Sequence, residues 1–150
     1  MLRDQINEAL KVAMKDKDKR RMATLRLINA AVKDRDIAAR TGGKDSVGDD
    51  DIRQLLSKMI RQREESAVVY AEAGRTELAE QEREEIEIIK DFLPRQMSAD
   101  EVRGACEEVV KEIGAHGLRD MGKCMATLKE RYPGRIDFGQ ASTVVKGMLN

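Results

Sequence analysis

Apolar positions recur along this chain with a period near 3.6 residues almost from end to end, the mark of helices that each bury one face. Leu2, Ile6, Ala9, Leu10, Ala13 and Met14 predict a first helix of about four turns. KDKDKRR over 15–21 breaks it as a solvated segment, and Asp18 is placed to cap a second helix with the stripe Met22, Leu25, Ile28, Ala31 and Val32. Gly42, Gly43 and Gly48 then mark a flexible loop, the segment where disorder is expected. Asp49 to Asp51 supply the N-cap and first-turn acids of a third helix, striped by Ile52, Leu55, Leu56, Met59, Ile60, Ala67 and Tyr70. Gly74 ends it. The short connection predicts an antiparallel hairpin with a fourth helix that carries Leu78, Ile86, Ile89 and Leu93 and stops at Pro94.

Charged residues interrupt both stripes of that hairpin. Arg63 falls where the third helix calls for an apolar residue, and Glu82 and Glu85 fall on the apolar face of the fourth. Arg63 stands eleven residues before Gly74 and Glu85 eleven after it, so an antiparallel hairpin brings them level. The pattern predicts a partly buried Arg63–Glu82/Glu85 cluster that fixes hairpin register. The competing reading leaves all three at the stripe's edge with their charged ends in water.

PRQMS at 94–98 separates an N-terminal domain, 1–94, from a C-terminal one, 98–150; four of the eleven glycines lie before it and seven after. Ser98 and Glu101 form a capping box for a fifth helix with Val102, Ala105, Cys106, Val109 and Ile113 inward. Gly114 and Gly117 end it, a sixth helix is expected over about 119–131, and Pro133-Gly134 forces a turn. Asp137 caps a seventh helix, with Gln140 at its N3 position. No internal repeat and no sustained heptad series is evident. The expected fold is all-α: an N-terminal helical domain with a long antiparallel hairpin, then a small three-helix bundle.

Composition agrees with helices and changes the picture in one respect. Charged residues make up 37% and aromatic ones 3%, a balance that suits long amphipathic helices and not a β-sandwich. The formal net charge is zero, yet residues 1–41 hold 11 Lys/Arg against 6 Asp/Glu and residues 42–93 hold 8 against 14. That asymmetry reads either as internal complementarity, the favoured reading, or as a basic face for nucleic acid. No run approaches the ~18 apolar residues of a membrane span. The first residues lack a signal peptide's apolar stretch, and Cys106 and Cys124 fall in apolar-periodic segments without a CxxC or a His cluster. A cytoplasmic protein with reduced, buried thiols is expected, with no cofactor and no metal.

Candidate chemistry is sparse. His116, the single histidine, lies between Gly114 and Gly117 with no triad pattern near it. Gly42-Gly43-Lys44 lacks the spacing of a phosphate loop, and the acidic runs 49–51 and 84–87 match no calcium loop. No catalytic residue is nominated. Met121-Gly122-Lys123 has a physical use: glycine admits a close backbone approach, and a lysine beside a helix start meets phosphate. A helix-packing role for Gly122 is an equal alternative on local grounds.

Three ordered motifs carry a resemblance over essentially the whole chain: TLRLINAAVK at 24–33, RQREES at 61–66 running through to FLP at 92–94, and MGK at 121–123 followed by GRID at 134–137. Together they identify a resemblance to the YqeY (GatB/YqeY) family. Members are similar to the C-terminal tail of the B subunit of aspartyl/glutamyl-tRNA amidotransferase. The resemblance implies an all-helical fold and a tail module that recognises tRNA shape, while amide chemistry belongs to parts absent from this chain. A carbon–nitrogen ligase label with glutamine as amido donor would be inherited by homology alone. Gly122, Lys123, Gly134 and Asp137 match the tail motif, with Arg135 beside it; Cys124 replaces an expected aliphatic residue, and ERYP at 130–133 makes the loop atypical.

Two functions follow as expectations. One is a noncatalytic tRNA-binding module whose phosphate contacts are Lys123, Lys129, Arg131 and Arg135, aided by Lys19, Arg20 and Arg21. The other is an adaptor docking on an amidotransferase, a synthetase or another partner through helix faces. Without aromatic platforms, sequence-specific reading of single strands is not expected, nor is DNA sequence reading or membrane binding.

Overall fold

The computed structural model describes residues 1–150 as seven α-helices and no strand. They are α1 (Leu2–Lys15), α2 (Lys19–Thr41), α3 (Asp49–Glu72), α4 (Thr76–Lys90), α5 (Ala99–Ile113), α6 (Met121–Arg131) and α7 (Phe138–Leu149), with a 3-10 turn at Leu118–Asp120. The all-α class read from the periodicity is the class observed. The helices gather in two compact units, Met1–Leu93 with α1–α4 and Pro94–Asn150 with α5–α7.

In the first unit α1 turns back into α2 through Asp16–Asp18, a tighter corner than the seven-residue break expected from the charge run. The Asp18 N–H donates to the Ala13 carbonyl and the Lys17 N–H to that of Met14, while Lys17 takes φ +56°. This is a Schellman ending with lysine at the left-handed position. The same ending recurs after α3 and α5, where Gly74 and Gly114 occupy that position without steric penalty. Asp18 also caps α2 by accepting from the Arg21 N–H at 3.1 Å.

Ile6, Leu25, Ile28, Ile52, Leu56 and Ile89 are fully buried at the centre of this unit. Removing each such side chain from water contributes about 1.5–3 kcal/mol. The stripes fall largely where the period puts them. Met14, however, is exposed, and Leu78 is only half-buried beside a fully buried Ala79. The α3–α4 hairpin is packed into this core as far as Ile60 and Ile86. Beyond that level its buried seam is the alanine pair Ala67 and Ala79, small enough to let two helices lie close without further cover.

The Gly42–Gly48 loop is tied down, contrary to the disorder expected of it. Asp36 is responsible. Its carboxylate accepts from both terminal nitrogens of Arg3 at 2.9 Å and from the Val47 N–H at 3.0 Å, while Arg3 also donates to the Val47 carbonyl at 3.3 Å. Val47 then packs, half-buried, against the core. The Arg3 hydrogen bonds hold the Asp36 carboxyl below its usual range, with the Val47 N–H adding to them. Gly48 caps α3, so Asp49 to Asp51 form its first turn and not its cap; Asp49 reaches back to accept from the Leu2 N–H at 3.2 Å.

The second unit has an apolar core of its own: Val102, Cys106, Val109, Cys124, Leu128, Ile136, Ala141 and Val145 are almost completely buried. Ser98 and Glu101 form the expected capping box, with the Glu101 N–H on the Ser98 hydroxyl at 3.2 Å and the Ser98 N–H on the Glu101 carboxylate at 3.1 Å. Asp137 caps α7 by accepting from the Gly139 N–H at 2.9 Å.

Candidate functional site

The residues proposed for chemistry divide between a hairpin cluster in the first unit and a corner of the second. In the hairpin, Arg63 Nε donates to Glu85 Oε2 at 2.9 Å, with side chains only 15% and 11% exposed. Arg63 also donates to the Met59 carbonyl, and Glu85 accepts from Gln81 on its other oxygen. Glu82 stands one turn away, half-buried. Burial raises its carboxyl above the ordinary value, the neighbouring Glu85 adds to this, and Arg63 partly offsets it. The cluster is therefore one close pair with a peripheral third member. Arg20 joins it from α2, 3.1 Å from Glu84 and 4.0 Å from Glu85, and Arg21 pairs with Asp91 at 3.0 Å. Two of the three early cations nominated for phosphate are thus spent on acids of the same unit, and Lys19 alone stays exposed without such a partner.

In the second unit, the turn around Gly134 is stitched to the segment before α5. Gln96 donates to the Gly134 carbonyl at 2.7 Å, Met97 N–H to the Arg135 carbonyl at 3.0 Å, and Arg135 Nε to the Arg95 carbonyl at 3.0 Å. Gly134 sits at φ +73° and Ile136 is 1% exposed, so this turn is a structural clamp. Arg135 is one of its fasteners.

The four nominated cations do not converge. On α6, at about 100° per residue, Lys129 lies roughly 120° to one side of Lys123 and Arg131 roughly 80° to the other. Arg131 is ion-paired with Glu112 of α5, and Lys129 covers the Phe138 ring of α7 at 5.9 Å from its centroid. The Lys123 side chain is exposed and makes neither an ion pair nor a ring or carbonyl contact, with the Asp120 carboxylate of the preceding turn as its electrostatic neighbour. Gly122 beside it faces open space, with nothing within 4 Å of the position a Cβ would take. That overturns the helix-packing alternative for this glycine and equally any close approach by the chain's own backbone.

The remaining polar groups at this corner are structural. Asp120 accepts from the His116 N–H at 3.1 Å, which lowers its carboxyl pKa, and no side chain caps the start of α6. Cys106 and Cys124 are buried free thiols; burial pushes Cys106 up to about 11 and Cys124 in the same direction, holding both protonated. No group of three or more His, Cys, Asp or Glu side chains is placed to hold a metal ion.

Sequence reasoning missed Asp36. The signal was present: Leu25, Ile28 and Val32 lead at helical spacing to Asp36, a charged residue on a buried stripe, as Arg63 is on its own.

These features define a two-unit, all-helical protein in which most ionic groups near the core serve packing. A family model described as Yqey-like protein matches residues 3–149, and the chain belongs to that family. It is 38% identical over 88 residues to the protein named Altered inheritance of mitochondria protein 41, mitochondrial, of Lachancea thermotolerans, a match covering 59% of this chain and 46% of the relative. With the protein of the same name in Eremothecium gossypii it is 28% identical over 124 residues, covering 81% of this chain and 66% of the relative. The chain thus spans between about half and two thirds of the length of these curated relatives. No helix is long and apolar enough to cross a membrane.

Proposed function

We propose that the protein is a noncatalytic, cytoplasmic helical module that binds tRNA weakly through its C-terminal unit, with the start of α6 as the phosphate contact. The observation that carries this reading is the Gly122–Lys123 corner: an exposed lysine in the first helical turn, next to a glycine with open space before it. The positive end of the α6 dipole lies at the same corner, a setting that favours a phosphate. The similarity of the tail motif to the amidotransferase B-subunit tail supports RNA as the source of that phosphate. The names of the two fungal relatives place those proteins in mitochondria. A noncatalytic role fits a lone histidine in an exposed turn and two thiols held protonated by burial.

Titration of total tRNA at low salt tests the reading. Weak association is expected, with Lys123→Glu removing most of it and lowering the slope of log K against log salt by about one. No association at low salt, or one indifferent to Lys123→Glu, overturns it. A second reading, docking on an amidotransferase, a synthetase or another protein through a helix face, is favoured by the outer surface of α2.

A further inference from the structure

The buried stripe of α2 conceals a second pattern on its opposite face. Lys19, Arg26, Lys33 and Arg40 recur at intervals of seven residues, and all four are exposed. Arg20 and Arg21 beside them pair with Glu84 of α4 and with Asp91 just past its end, whereas these four make no ion pair and only Arg40 has an acidic electrostatic neighbour on its own helix, Asp36. A parallel row of Ala23, Ala30 and Ile37 runs alongside at the same spacing, with Leu27 next to it. Ile37 is 60% exposed and Leu27 48%, so neither belongs to this unit's core. Four positions make too short a series to read from the sequence as a coiled coil, but the exposed face has the order of one: a small-and-apolar seam flanked by charge.

We propose that this face of α2 docks an acidic amphipathic helix of a partner protein. The row of cations spans about 32 Å at 1.5 Å per residue, with successive charges about 10.5 Å apart, the advance of one heptad. Seven-residue spacing drifts by about 20° per heptad on a straight helix, so the seam slants across α2 as a left-handed supercoiling partner would follow it. Alanines at 23 and 30 allow the partner's backbone close. Leu27 and Ile37 accept its apolar side chains, and the four cations face acids carried at every seventh position. Asp34 interrupts the seam at its middle and calls for a lysine, arginine or asparagine opposite it, which fixes register. An RNA backbone would use the cations but leave Leu27 and Ile37 facing ribose and phosphate, and α2 carries no aromatic side chain on which a base could stack. The apolar seam therefore favours a helix. This proposal is independent of the tRNA corner, which lies in the other unit.

The test uses the isotope-labelled full chain and a synthetic 21-residue helical peptide with an Ile/Leu seam, one central Lys and flanking Glu. Binding is expected to move the amide resonances of Ala23, Leu27, Ala30 and Ile37. Affinity should fall about tenfold or more in the double variant Arg26→Glu, Lys33→Glu and in Ile37→Asp. A second peptide with Lys in place of the flanking Glu should bind the double variant better than the parent, a rescue that loss of folding cannot produce. The proposal is overturned if the acidic peptide leaves α2 unmoved or moves another surface instead. It is equally overturned if a duplex RNA binds this face more tightly than the peptide, or if sedimentation shows a self-associating chain whose dimer the same variants abolish.

Discussion

The two units solve the same packing problem with charge used in different ways. In α1–α4 ion pairs reach across the sequence: Arg3 with Asp36 and Arg63 with Glu85 at the edge of the core, Arg20 with Glu84 and Arg21 with Asp91 nearer the surface. In α5–α7 the core is wholly apolar, and polar side chains act close to helix ends, through the Ser98–Glu101 box, the Asp137 cap and the clamp at Gly134. Long amphipathic helices can slide by a turn with little change in buried area, and fixed charges on the stripe remove that freedom. Short helices closed by tight turns need no such device. Electrostatics therefore serves register in one unit and termination in the other, and a cation is a candidate for ligand binding only where no acid or carbonyl of its own unit has taken it up.

The largest expected effect is common to both units. Leu25→Ala and Leu128→Ala should each destabilise by about 2–5 kcal/mol through the cavity left in a fully buried site. Amide exchange should show the loss in α1–α4 for the first and in α5–α7 for the second; equal loss everywhere would merge the two units energetically.

Next, Arg63→Ala should cost roughly 2 kcal/mol, because it strands a mostly buried Glu85. Arg131→Ala, at an exposed pair, should cost under ~1 kcal/mol. Denaturant melts that find the two equal would break the comparison. A smaller effect runs the other way: Lys17→Gly should stabilise by about 1 kcal/mol, since glycine takes the left-handed position without the steric penalty lysine bears there. Thermal melts that show a loss would mean that the lysine side chain compensates locally.

The smallest effect is a titration. Glu101, held by Arg95 first and by the Ser98 N–H second, drops from its ordinary 4.5 to about 2. A depressed carboxyl gives stability that is fully present above the unfolded value and lost as pH falls through the folded one. Glu101→Gln should therefore weaken the second unit at pH 7, with the difference from the parent shrinking as pH falls below 4.5 and vanishing only below about 2. A carboxyl resonance of Glu101 with its midpoint near 4.5 would remove the Arg95 pair from solution.

The helices were legible because their period, caps and stops are local: Asp18, Ser98 and Asp137 cap where the sequence places them, and Gly74 and Gly114 end helices through the conformation only glycine enters freely. Arg63 and Glu85 could be brought level by counting from Gly74, since a short hairpin turn fixes register. Asp36 was readable by the same stripe logic, but its partners, Arg3 and Val47, stand 33 and 11 residues away and no spacing rule joins them. The candidate site was legible only as residue types. Lys123, Lys129, Arg131 and Arg135 look equivalent as cations in one motif, and nothing local says which will be used up.

By itself, then, the sequence of this chain determined the helical class, most of its caps and stops and the register of its longest hairpin, all consequences of interactions within a few turns. Tertiary structure alone decided that Arg131 and Arg135 are spent on Glu112 and the Arg95 carbonyl, that Gly122 faces open space, and that Lys123 stays available. It also left the outer seam of α2 uncovered. The physical reason is the same in each case: whether a charge is free or a face is buried depends on what packs beside it, and that neighbour comes from a distant part of the chain.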